Sequence, residues 1–311
     1  MLGKLKLNHT EDMKLKTIIT GLCLFAVTAS FAQTSEFLGE LQGMNHKKKG
    51  FSYQGMDLWK DYIFSCQNQG AATIYKLRKH DVKEISQFKL ETFCKENHAN
   101  AVSFGVEFYD KKDPMPVVYV SHCSKHRIDG RKDLLFVERV ARNRKSSTLV
   151  QTIFYDDVNR DFGYALQWVV DRENNMLYGY GNTINNSDKA NRHRVIKFAL
   201  PPLSAGRFVV LKPEDALENY LIEDVSKFRF NPIGQGLAVS DNKLYMPTGV
   251  GNDENPSILY IWDLKKKSME VVDLSMITHS EFEGIGVIKG KGKNRQVLIQ
   301  SQDGLYRITL N

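Results

Sequence analysis

The sequence predicts an all-β fold, and three observations support this prediction. Short runs of Val, Ile, Tyr, Phe and Leu are separated by Asp, Asn, Gly and Lys, which is typical of strands joined by turns. Helical periodicity is nearly absent; only 213–224, with Pro213 and acidic residues at its start, indicates one or two helical turns. The strand-like runs also recur as an internal repeat, which indicates stacked copies of one unit.

The repeat is clearest between two distant copies. Gln54-Gly55 starts one copy and Gln235-Gly236 starts the other, and each copy continues into an apolar run, 73–77 in the first and 258–264 in the second. Three weaker copies start near the following residues: Asn100, Gln167 and Glu283. Five copies of about fifty residues each can therefore be recognised, and this length is typical of propeller repeats.

A four-stranded antiparallel sheet leaves both faces uncovered, so such copies must stack, and radial stacking closes the set. The sequence therefore predicts a single β-propeller of about five four-stranded blades. Six blades are the alternative if 156–232 contains a degenerate copy. The segment 37–41 is expected to supply the outer strand of the last blade and so join the chain ends. A β-sandwich with accidental similarity between its strands is the competing fold.

The N-terminal region has the features of an export signal. Lys14 and Lys16 precede an apolar stretch at 17–29, and Ser30-Phe31-Ala32 places small residues where a signal peptidase cuts. We therefore expect a cleaved signal peptide at 1–32 and a propeller domain at 33–311, located in the periplasm or outside the cell. A short buried helix is the alternative for this segment. No apolar run is long enough to span a bilayer as a helix.

The net charge of +7 is a mild excess of basic residues. Basic runs such as 142–145 and 265–267 fall between predicted strands, where solvated loops are expected, and this spacing argues against a nucleic-acid partner. Attraction to an acidic glycan or an anionic surface is the alternative role for them. Three cysteines follow the signal, and they allow one disulfide with a leftover thiol or no disulfide at all: Cys66, Cys94 and Cys123.

Several short motifs resemble those of a known group of proteins. Tyr53-Gln54-Gly55-Met56-Asp57, His98-Ala99-Asn100, Tyr119-Val120-Ser121 and Glu283-Gly284 resemble blade motifs of secreted bacterial β-propeller proteins of poorly defined function. They are also distantly similar to helveticin-type bacteriocin domains. The resemblance implies the fold and export, and it implies no particular activity.

Candidate site residues follow from the predicted architecture. The first strand of each blade lines the channel, so polar residues at equivalent blade starts are expected to converge. Eight polar residues occupy these positions: Gln54, Asp57, His98, Asn100, Tyr164, Gln167, Gln235 and Glu283. Amides, an imidazole and carboxylates together fit either sugar hydroxyls or a hard cation such as Ca²⁺.

Each of these residues also has a structural explanation. Gln54 and Gln235 can satisfy inner-strand backbone groups while the following glycine permits close approach. His98 can be a hydrogen-bonded structural histidine, and Glu283 can pair with a Lys or Arg of a neighbouring blade.

Other chemical motifs are weak. The cluster 122–126, with Cys94 and His98 upstream, lacks the paired spacing of a zinc site. The run 157–161 begins like a calcium loop, but Phe162 occupies the place of the turn glycine, so a plain acidic turn is expected. No nucleophile elbow, HExxH helix or phosphate loop is present in the sequence.

Two functions of different class remain. The preferred one is an exported recognition module that binds a carbohydrate or protein ligand at the channel rim. Four aromatic side chains are candidate stacking surfaces: Trp59, Trp168, Tyr164 and Tyr180.

The alternative is a calcium-assisted hydrolase or lyase, similar in residue types to lactonase propellers. In it, Asp57, Asn100 and Glu283 hold Ca²⁺ and His98 acts as general base. The recognition hypothesis is preferred because catalysis requires several independent coincidences. A monomer is expected in either case.

Overall fold

The structure is a computed structural model, which describes residues 34–44, 51–123, 126–185, 188–222, 234–288 and 295–310. The predicted signal peptide, 1–32, lies outside these ranges. Within them, no helix is long and apolar enough to cross a membrane.

Five sheets make up the described structure, and each forms one blade of a propeller. The chain starts with strand β1 (Thr34–Gly39). Blade 1 follows, with β2 (Tyr53–Trp59), β3 (Tyr62–Gln67), β4 (Ala71–Leu77) and β5 (Val82–Lys89). Blade 2 contains β6 (Ala101–Phe104), β7 (Val118–Ser121), β8 (Leu135–Val140) and β9 (Ser147–Tyr155).

The remaining three blades follow the same order from the channel outward. Blade 3 contains β10 (Tyr164–Asp171), β11 (Met176–Asn182) and β12 (His193–Ala199); after an excursion through β13 (Phe208–Leu211) it ends with β14 (Glu218–Ile222). Blade 4 contains β15 (Ala238–Ser240), β16 (Lys243–Thr248), β17 (Ile258–Asp263) and β18 (Ser268–Asp273). Blade 5 contains β19 (Phe282–Ile288), β20 (Arg295–Ser301) and β21 (Leu305–Leu310).

The two ends of the chain meet in blade 5. Strand β1 pairs antiparallel with β21, with Thr34 opposite Thr309 and Phe37 opposite Tyr306. This pairing confirms that the N-terminal segment supplies the outer strand of the last blade, although the strand ends at Gly39 rather than Leu41. Because the last blade needs both ends of the chain, the ring closes on itself and no blade is left with an incomplete sheet.

The five-blade count is confirmed, and the sixth blade considered for 156–232 is not formed by the described residues. That region supplies blade 3 and the additional strand β13, which joins blade 2 in parallel with β9. The β-sandwich alternative is excluded, because the sheets are arranged blade by blade around a channel.

Of the one or two helical turns expected within 213–224, the described residues form one; 223–224 lie outside the described ranges. Pro213–Asp215 is a single 3₁₀ turn, and the chain then enters β14, which pairs antiparallel with β12. Burial alternates along β14 and ends in the buried Ile222, which is the two-residue period of a strand. Pairing with β12 therefore determines this segment, and the local helix signals do not extend past Asp215.

The repeated Gln-Gly motif is explained by contacts between neighbouring innermost strands. A Cβ atom on Gly55 would lie 2.6 Å from the backbone carbon of Ala101, and one on Gly236 would lie 2.5 Å from the carbonyl oxygen of Glu283. The amide of Gly55 also donates to the carbonyl of Ala99 in blade 2, at 3.0 Å. Glycine is therefore required at these blade starts because the innermost strands touch backbone to backbone.

The hydrophobic core lies between adjacent blades rather than in one central cluster. Phe64 of blade 1 packs edge-on against Phe104 of blade 2, with ring centroids 6.2 Å apart. Trp168 of blade 3 is 1% exposed, and its indole N–H donates to the carbonyl of Asp133 in blade 2 at 3.0 Å. These contacts fix each blade against the next, and they hold the channel-lining strands in place.

Candidate functional site

The five innermost strands run in the same direction along the channel. Their first residues therefore lie at one mouth, and their last residues lie at the other. The first residues of these strands surround a cavity of about 230 Å³, which we call the upper mouth. The last residues surround a cavity of about 540 Å³, which we call the lower mouth. The upper cavity is lined by the following residues: His98, Asn100, Cys123, Tyr164, Ala165, Gln167, Tyr180, Asn182, His193, Gly234, Gln235, Glu281 and Glu283.

Six of the eight candidate residues line the upper cavity: His98, Asn100, Tyr164, Gln167, Gln235 and Glu283. Gln54 reaches the same group, since its side-chain amide donates to Glu283 Oε1 at 3.3 Å. Residues from all five blades therefore meet at this mouth. The convergence expected from the blade-start repeat is present for seven of the eight residues.

Asp57 is the correction to this set, because it lies at the lower mouth. It follows Gln54 by three residues on β2, which separates the two by about 10 Å along an extended strand. Its carboxylate accepts hydrogen bonds from the amides of Leu58 and Phe104, at 2.7 and 2.8 Å, and lies 3.6 Å from the guanidinium of Arg172. Asp57 thus connects blades 1, 2 and 3.

The calcium set expected from the sequence is therefore not assembled. Asp57 is at one end of the channel, whereas Asn100 and Glu283 are at the other. The side-chain oxygen of Asn100 accepts the amide of Cys123 at 3.0 Å, which gives it a structural partner. In the described ranges, no three His, Cys, Asp or Glu side chains are grouped so that they would hold a metal ion. The residues present do not fit a calcium site.

Glu283 is the most perturbed carboxyl group of the upper mouth. It is 7% exposed, and its pKa is raised well above the ordinary value, first by burial and then by the neighbouring carboxylate of Glu281. Amide groups of Gln54 and Gln302 donate to Glu283 Oε1 and oppose this rise only in part. Within the described residues Glu283 has no Lys or Arg partner, so the ion pair considered for it is absent. Its protonated form is favoured.

The pKa of His98 is shifted in the opposite direction from that of Glu283, and the His98 ring offers an acceptor. Its Nδ1 lies 3.0 Å from the carbonyl of Cys123, and because a carbonyl only accepts, this nitrogen carries the hydrogen. The neutral ring then has Nε2 as an acceptor. Burial lowers the pKa of His98, which keeps the ring neutral at physiological pH. The upper mouth therefore contains an imidazole acceptor and a carboxyl group that is hydrogen-bonded to the neighbouring Glu281.

Gln167 carries a buried acceptor without a partner. Its side chain is 5% exposed, and its Oε1 makes no hydrogen bond to any part of the chain that the structure describes. Buried amide oxygens are normally satisfied, and leaving one unpaired costs about 1–3 kcal/mol. Because this residue lines the upper cavity, a hydroxyl group bound there is suited to satisfy it.

Sequence reasoning missed three polar residues of the upper mouth: Glu281, Asn182 and His193. Glu281 lies directly before β19 and two residues before Glu283, so its closeness to a candidate residue was a usable signal. Its Oε1 accepts the side-chain amide of Gln235 at 2.6 Å. Asn182 lies on β11 and His193 on β12, outside the blade-start repeat.

Tyr180 and His193 form a stacked pair in the wall of the cavity. Their ring centroids are 5.5 Å apart with an interplanar angle of 7°, and the tyrosine hydroxyl lies 2.8 Å from His193 Nδ1. Burial lowers the pKa of His193 to about 4, so this ring is neutral at physiological pH. The pair presents a rigid, uncharged wall to the cavity.

The four candidate stacking aromatics are separated by the fold. Trp168 is fully buried between blades and offers no surface to a ligand. Trp59 lies at the lower mouth. Tyr164, 39% exposed at the rim, and the buried Tyr180 both line the upper cavity. Stacking on a ligand at the upper mouth is therefore limited to these two tyrosines.

The weaker motifs have structural roles. The carboxylate of Asp157 accepts the amides of Asp161 and Phe162 at 2.6 and 2.8 Å, so the calcium-like run is an acidic turn closed by its own side chain.

The histidines of the cluster 122–126 bond to the backbone. His122 Nδ1 accepts the amide of His98, and its Nε2 lies 3.0 Å from the carbonyl of His126. The three cysteines after the predicted signal are all free thiols.

Comparisons with known proteins find structural similarity and no family. No protein-family model and no curated sequence matches the chain. Among solved structures, the tail fibre of Staphylococcus aureus phage P68 is similar with a TM-score of 0.52 and 13% identity, over 89% of this chain and 52% of that one. The chain thus spans about half the length of the tail-fibre chain.

Two enzymes are similar over nearly their whole length. The catalytic domain of Coprinopsis cinerea GH62 α-L-arabinofuranosidase gives a TM-score of 0.49 at 8% identity, over 91% of this chain and 98% of that one. Myxococcus xanthus glutaminyl cyclase gives 0.47 at 10% identity, over 91% and 96%. At such identities the similarity concerns the fold alone, and the resemblance to helveticin-type domains stays a prediction.

Proposed function

We propose that this protein is a recognition module that binds a carbohydrate at the upper mouth, with one sugar residue inside the cavity. The observation that carries the proposal is the buried, unpartnered Oε1 of Gln167 in the cavity wall. A sugar hydroxyl would donate to this oxygen and remove the cost of leaving it unpaired.

The other groups of the cavity suit the same ligand. A sugar hydroxyl both donates and accepts, so a binding site needs acceptors and donors side by side. His98 supplies an imidazole acceptor, and the amide of Gln167 carries N–H donors beside its unpartnered oxygen. These two groups are uncharged, which favours a neutral ligand over an ionic one.

The dimensions also support a single sugar residue. The cavity measures about 230 Å³, which is below the range of roughly 300–1,000 Å³ that encloses drug-sized ligands. Tyr164, at the exposed rim, offers a ring face on which an adjoining sugar of a longer chain would stack. We therefore propose that one sugar unit of a glycan is enclosed in the cavity and that the remaining sugar units lie at the rim.

The proposal includes an exported location, as the sequence predicts. Cleavage after Ala32 would leave a mature chain that starts at Gln33, directly before β1. Mass spectrometry of the protein recovered from the medium or periplasm of an expressing bacterium tests this. Recovery of the full-length chain from the cytoplasm alone would contradict export.

A second candidate is proton-transfer catalysis without a metal. It is favoured by the opposite protonation of His98 and Glu283, an acceptor and a donor that line the same cavity. The calcium-assisted version has no support, since Asp57 lies at the lower mouth. The recognition proposal predicts that a bound glycan is recovered unchanged, and mass spectrometry of the glycan after incubation separates the two candidates.

A glycan array followed by calorimetry tests the recognition proposal. We expect a neutral glycan to bind wild type and the Gln167→Leu variant to bind it about tenfold more weakly or worse, because the substitution keeps the size and removes the acceptor. The control is Gln296→Leu, which removes a half-buried amide at the start of β20, near the lower end of blade 5, and should bind like wild type. Equal binding by wild type and Gln167→Leu would move the site away from the upper mouth.

A further inference from the structure

The hairpins at the lower mouth form one face of the molecule. Each blade alternates strand direction, so the turns that follow its first and third strands lie at the same end. The turn after β15 and the turn after β17 illustrate this, since the amide of Leu264 donates to the carbonyl of Asn242 at 2.9 Å. We call this end of the propeller the lower face.

Exposed lysines surround the lower mouth on three blades. Two belong to blade 1, two to blade 2 and two to blade 4: Lys60, Lys79, Lys111, Lys112, Lys265 and Lys266. None of the six makes an ion pair with any described residue.

Two of the acidic side chains on this face are held by other cations, while Glu173 and Asp241 also lie exposed on its turns. Asp81 pairs with Arg78 at 2.8 Å, and Asp110 pairs with Arg142 at 3.1 Å. The lysine ammonium groups are therefore available to an external anion.

The opposite face, which we call the upper face, has a different charge pattern. Its loops carry exposed acidic residues beside blades 2 to 5: Glu96, Asp156, Asp188, Asp253, Glu254 and Asp303. Cations such as Lys95 and Lys189 are interspersed among them. The net charge of +7 is therefore unevenly distributed: the lower face is basic, and the upper face is mixed and more acidic.

Aromatic side chains stand among the basic groups of the lower face. In the β6–β7 loop, Phe108 is 41% exposed and Tyr109 is 54% exposed. The ring of Phe108 packs edge-on against Trp59 at 5.9 Å, and the guanidinium of Arg139 lies 4.8 Å from the ring centre of Tyr109. Exposed aromatic rings next to Lys and Arg are characteristic of surfaces that rest at a lipid headgroup layer.

We propose that the lower face docks on a bilayer surface that carries anionic lipid headgroups. The lysines surround the channel on blades 1, 2 and 4, so a flat surface contacts all of them at once, whereas a linear polyanion would contact only those along one line. Phe108 and Tyr109 then enter the headgroup layer. In this orientation the upper mouth faces away from the membrane, towards soluble ligands.

Vesicle sedimentation with charge-reversed variants tests this docking. We expect wild type to bind vesicles of phosphatidylcholine with phosphatidylglycerol at low salt, and not vesicles of phosphatidylcholine alone. Raising the salt should weaken binding, because salt screens exposed charges. Reversing four lower-face lysines (K111E, K112E, K265E, K266E) should weaken binding about a hundredfold or more, since each contributes near the surface.

A matched control reverses the same number of charges on the upper face (K95E, R127E, R160E, K189E), and it should bind vesicles at least as well as wild type. An equal loss in this control would overturn the proposal, because net charge rather than the lower face would then govern binding. Failure of wild type to bind phosphatidylglycerol vesicles at low salt would also overturn it.

Two further measurements separate docking on a membrane from binding to an anionic polysaccharide. Heparin that binds as tightly as the vesicles and loses binding in the same lower-face variant would overturn the proposal in favour of the polysaccharide. A double variant, Phe108→Ser with Tyr109→Ser, should weaken vesicle binding and leave heparin binding unchanged. Glycan binding at the upper mouth should be unaffected in all these variants, so failure of one proposal is distinguishable from failure of the other.

Discussion

The two mouths of the channel are built from the opposite ends of the same strands, yet their buried polar groups differ. At the lower mouth, Asp57 is satisfied by two amides and lies beside the guanidinium of Arg172. At the upper mouth, Glu283 lies beside another carboxylate, and Gln167 has an acceptor without a partner in the described chain. A buried polar residue indicates a ligand site only when the protein leaves it unsatisfied.

The two cavities also differ in size and lining. The lower cavity is more than twice as large as the upper one, 540 against 230 Å³. Half of its lining residues are aliphatic, with Leu58, Leu77 and Ile288 among them, and its buried carboxylate is paired with a guanidinium. Burial raises the pKa of a carboxyl group at each mouth, Asp57 at the lower and Glu283 at the upper. Glu283, unlike Asp57, has no guanidinium beside it among the described residues, and this difference identifies the upper mouth as the candidate site.

The largest expected effect concerns the close approach of strands at the upper mouth. Gly55→Ala places a methyl group 2.6 Å from the backbone of Ala101, which cannot move without shifting β6, so we expect a loss of about 3 kcal/mol or more in the free energy of unfolding. Gly286→Ala, towards the lower mouth, meets the end of the Leu58 side chain rather than backbone and should lose about 1 kcal/mol. Urea unfolding of both variants measures the difference. Equal losses would contradict backbone-to-backbone contact at the upper mouth.

The second prediction concerns the pH dependence of stability contributed by His193. Its pKa is lowered from 6.5 to about 4 in the folded protein, so the unfolded chain binds more protons between these values. Acidification from pH 6.5 to 4 should therefore remove about 3 kcal/mol of stability through this group alone. The variant His193→Gln should lose this contribution, as measured by urea unfolding across the range. A parallel pH profile in wild type and variant would show that His193 is not held neutral by burial.

The third prediction tests the structural role of the lower-mouth carboxylate. Asp57→Ala leaves the buried amide of Phe104 without its acceptor and Arg172 without its carboxylate, and it should cost about 2–3 kcal/mol of stability. Glycan binding by the folded variant should equal that of wild type. A selective loss of binding with unchanged stability would place Asp57 in the ligand site after all.

The smallest predicted effect is a gain in stability, whereas the glycine and Asp57 variants are expected to lose stability. The raised pKa of Glu283 means that its contribution to stability is present below pH 4.5 and is lost as the pH rises through the folded-state pKa. Glu283→Gln removes this titration, so the variant should be slightly more stable than wild type at neutral and alkaline pH. Thermal unfolding at several pH values measures it. Destabilisation like that of Asp57→Ala would mean that the two mouths do not differ.

The fold could be predicted from the sequence where the structure requires one particular residue type, as it requires glycine at the blade starts. The Gln-Gly repeat located the innermost strands because only glycine permits the approach seen at Gly55 and Gly236. The segment 37–41 was recognised because an incomplete last blade needs a partner strand. The sixth-blade alternative arose because β13 pairs with β9 of the preceding blade, a non-local parallel pairing that no local pattern reports.

The candidate site was predicted less completely, for two physical reasons. Gln54 and Asp57 were assigned to one mouth although three residues of extended strand separate them, so position along the strand was overlooked. Asn182 and His193 were missed because they lie on the second and third strands of blade 3, whose register against the first strand depends on the folded sheet. The helix signals within 213–224 do not extend past Asp215, because pairing with β12 outweighed local propensity.

The unsatisfied groups of the upper mouth are the proposed contacts of the ligand, and a crystal structure with the tightest-binding glycan tests this most directly. We predict a sugar residue in the upper cavity, with a hydroxyl within hydrogen-bond distance of Gln167 Oε1 and others near His98 and Glu283. A sugar bound at the lower mouth, or on the outer strands with the upper cavity unchanged, would contradict this assignment.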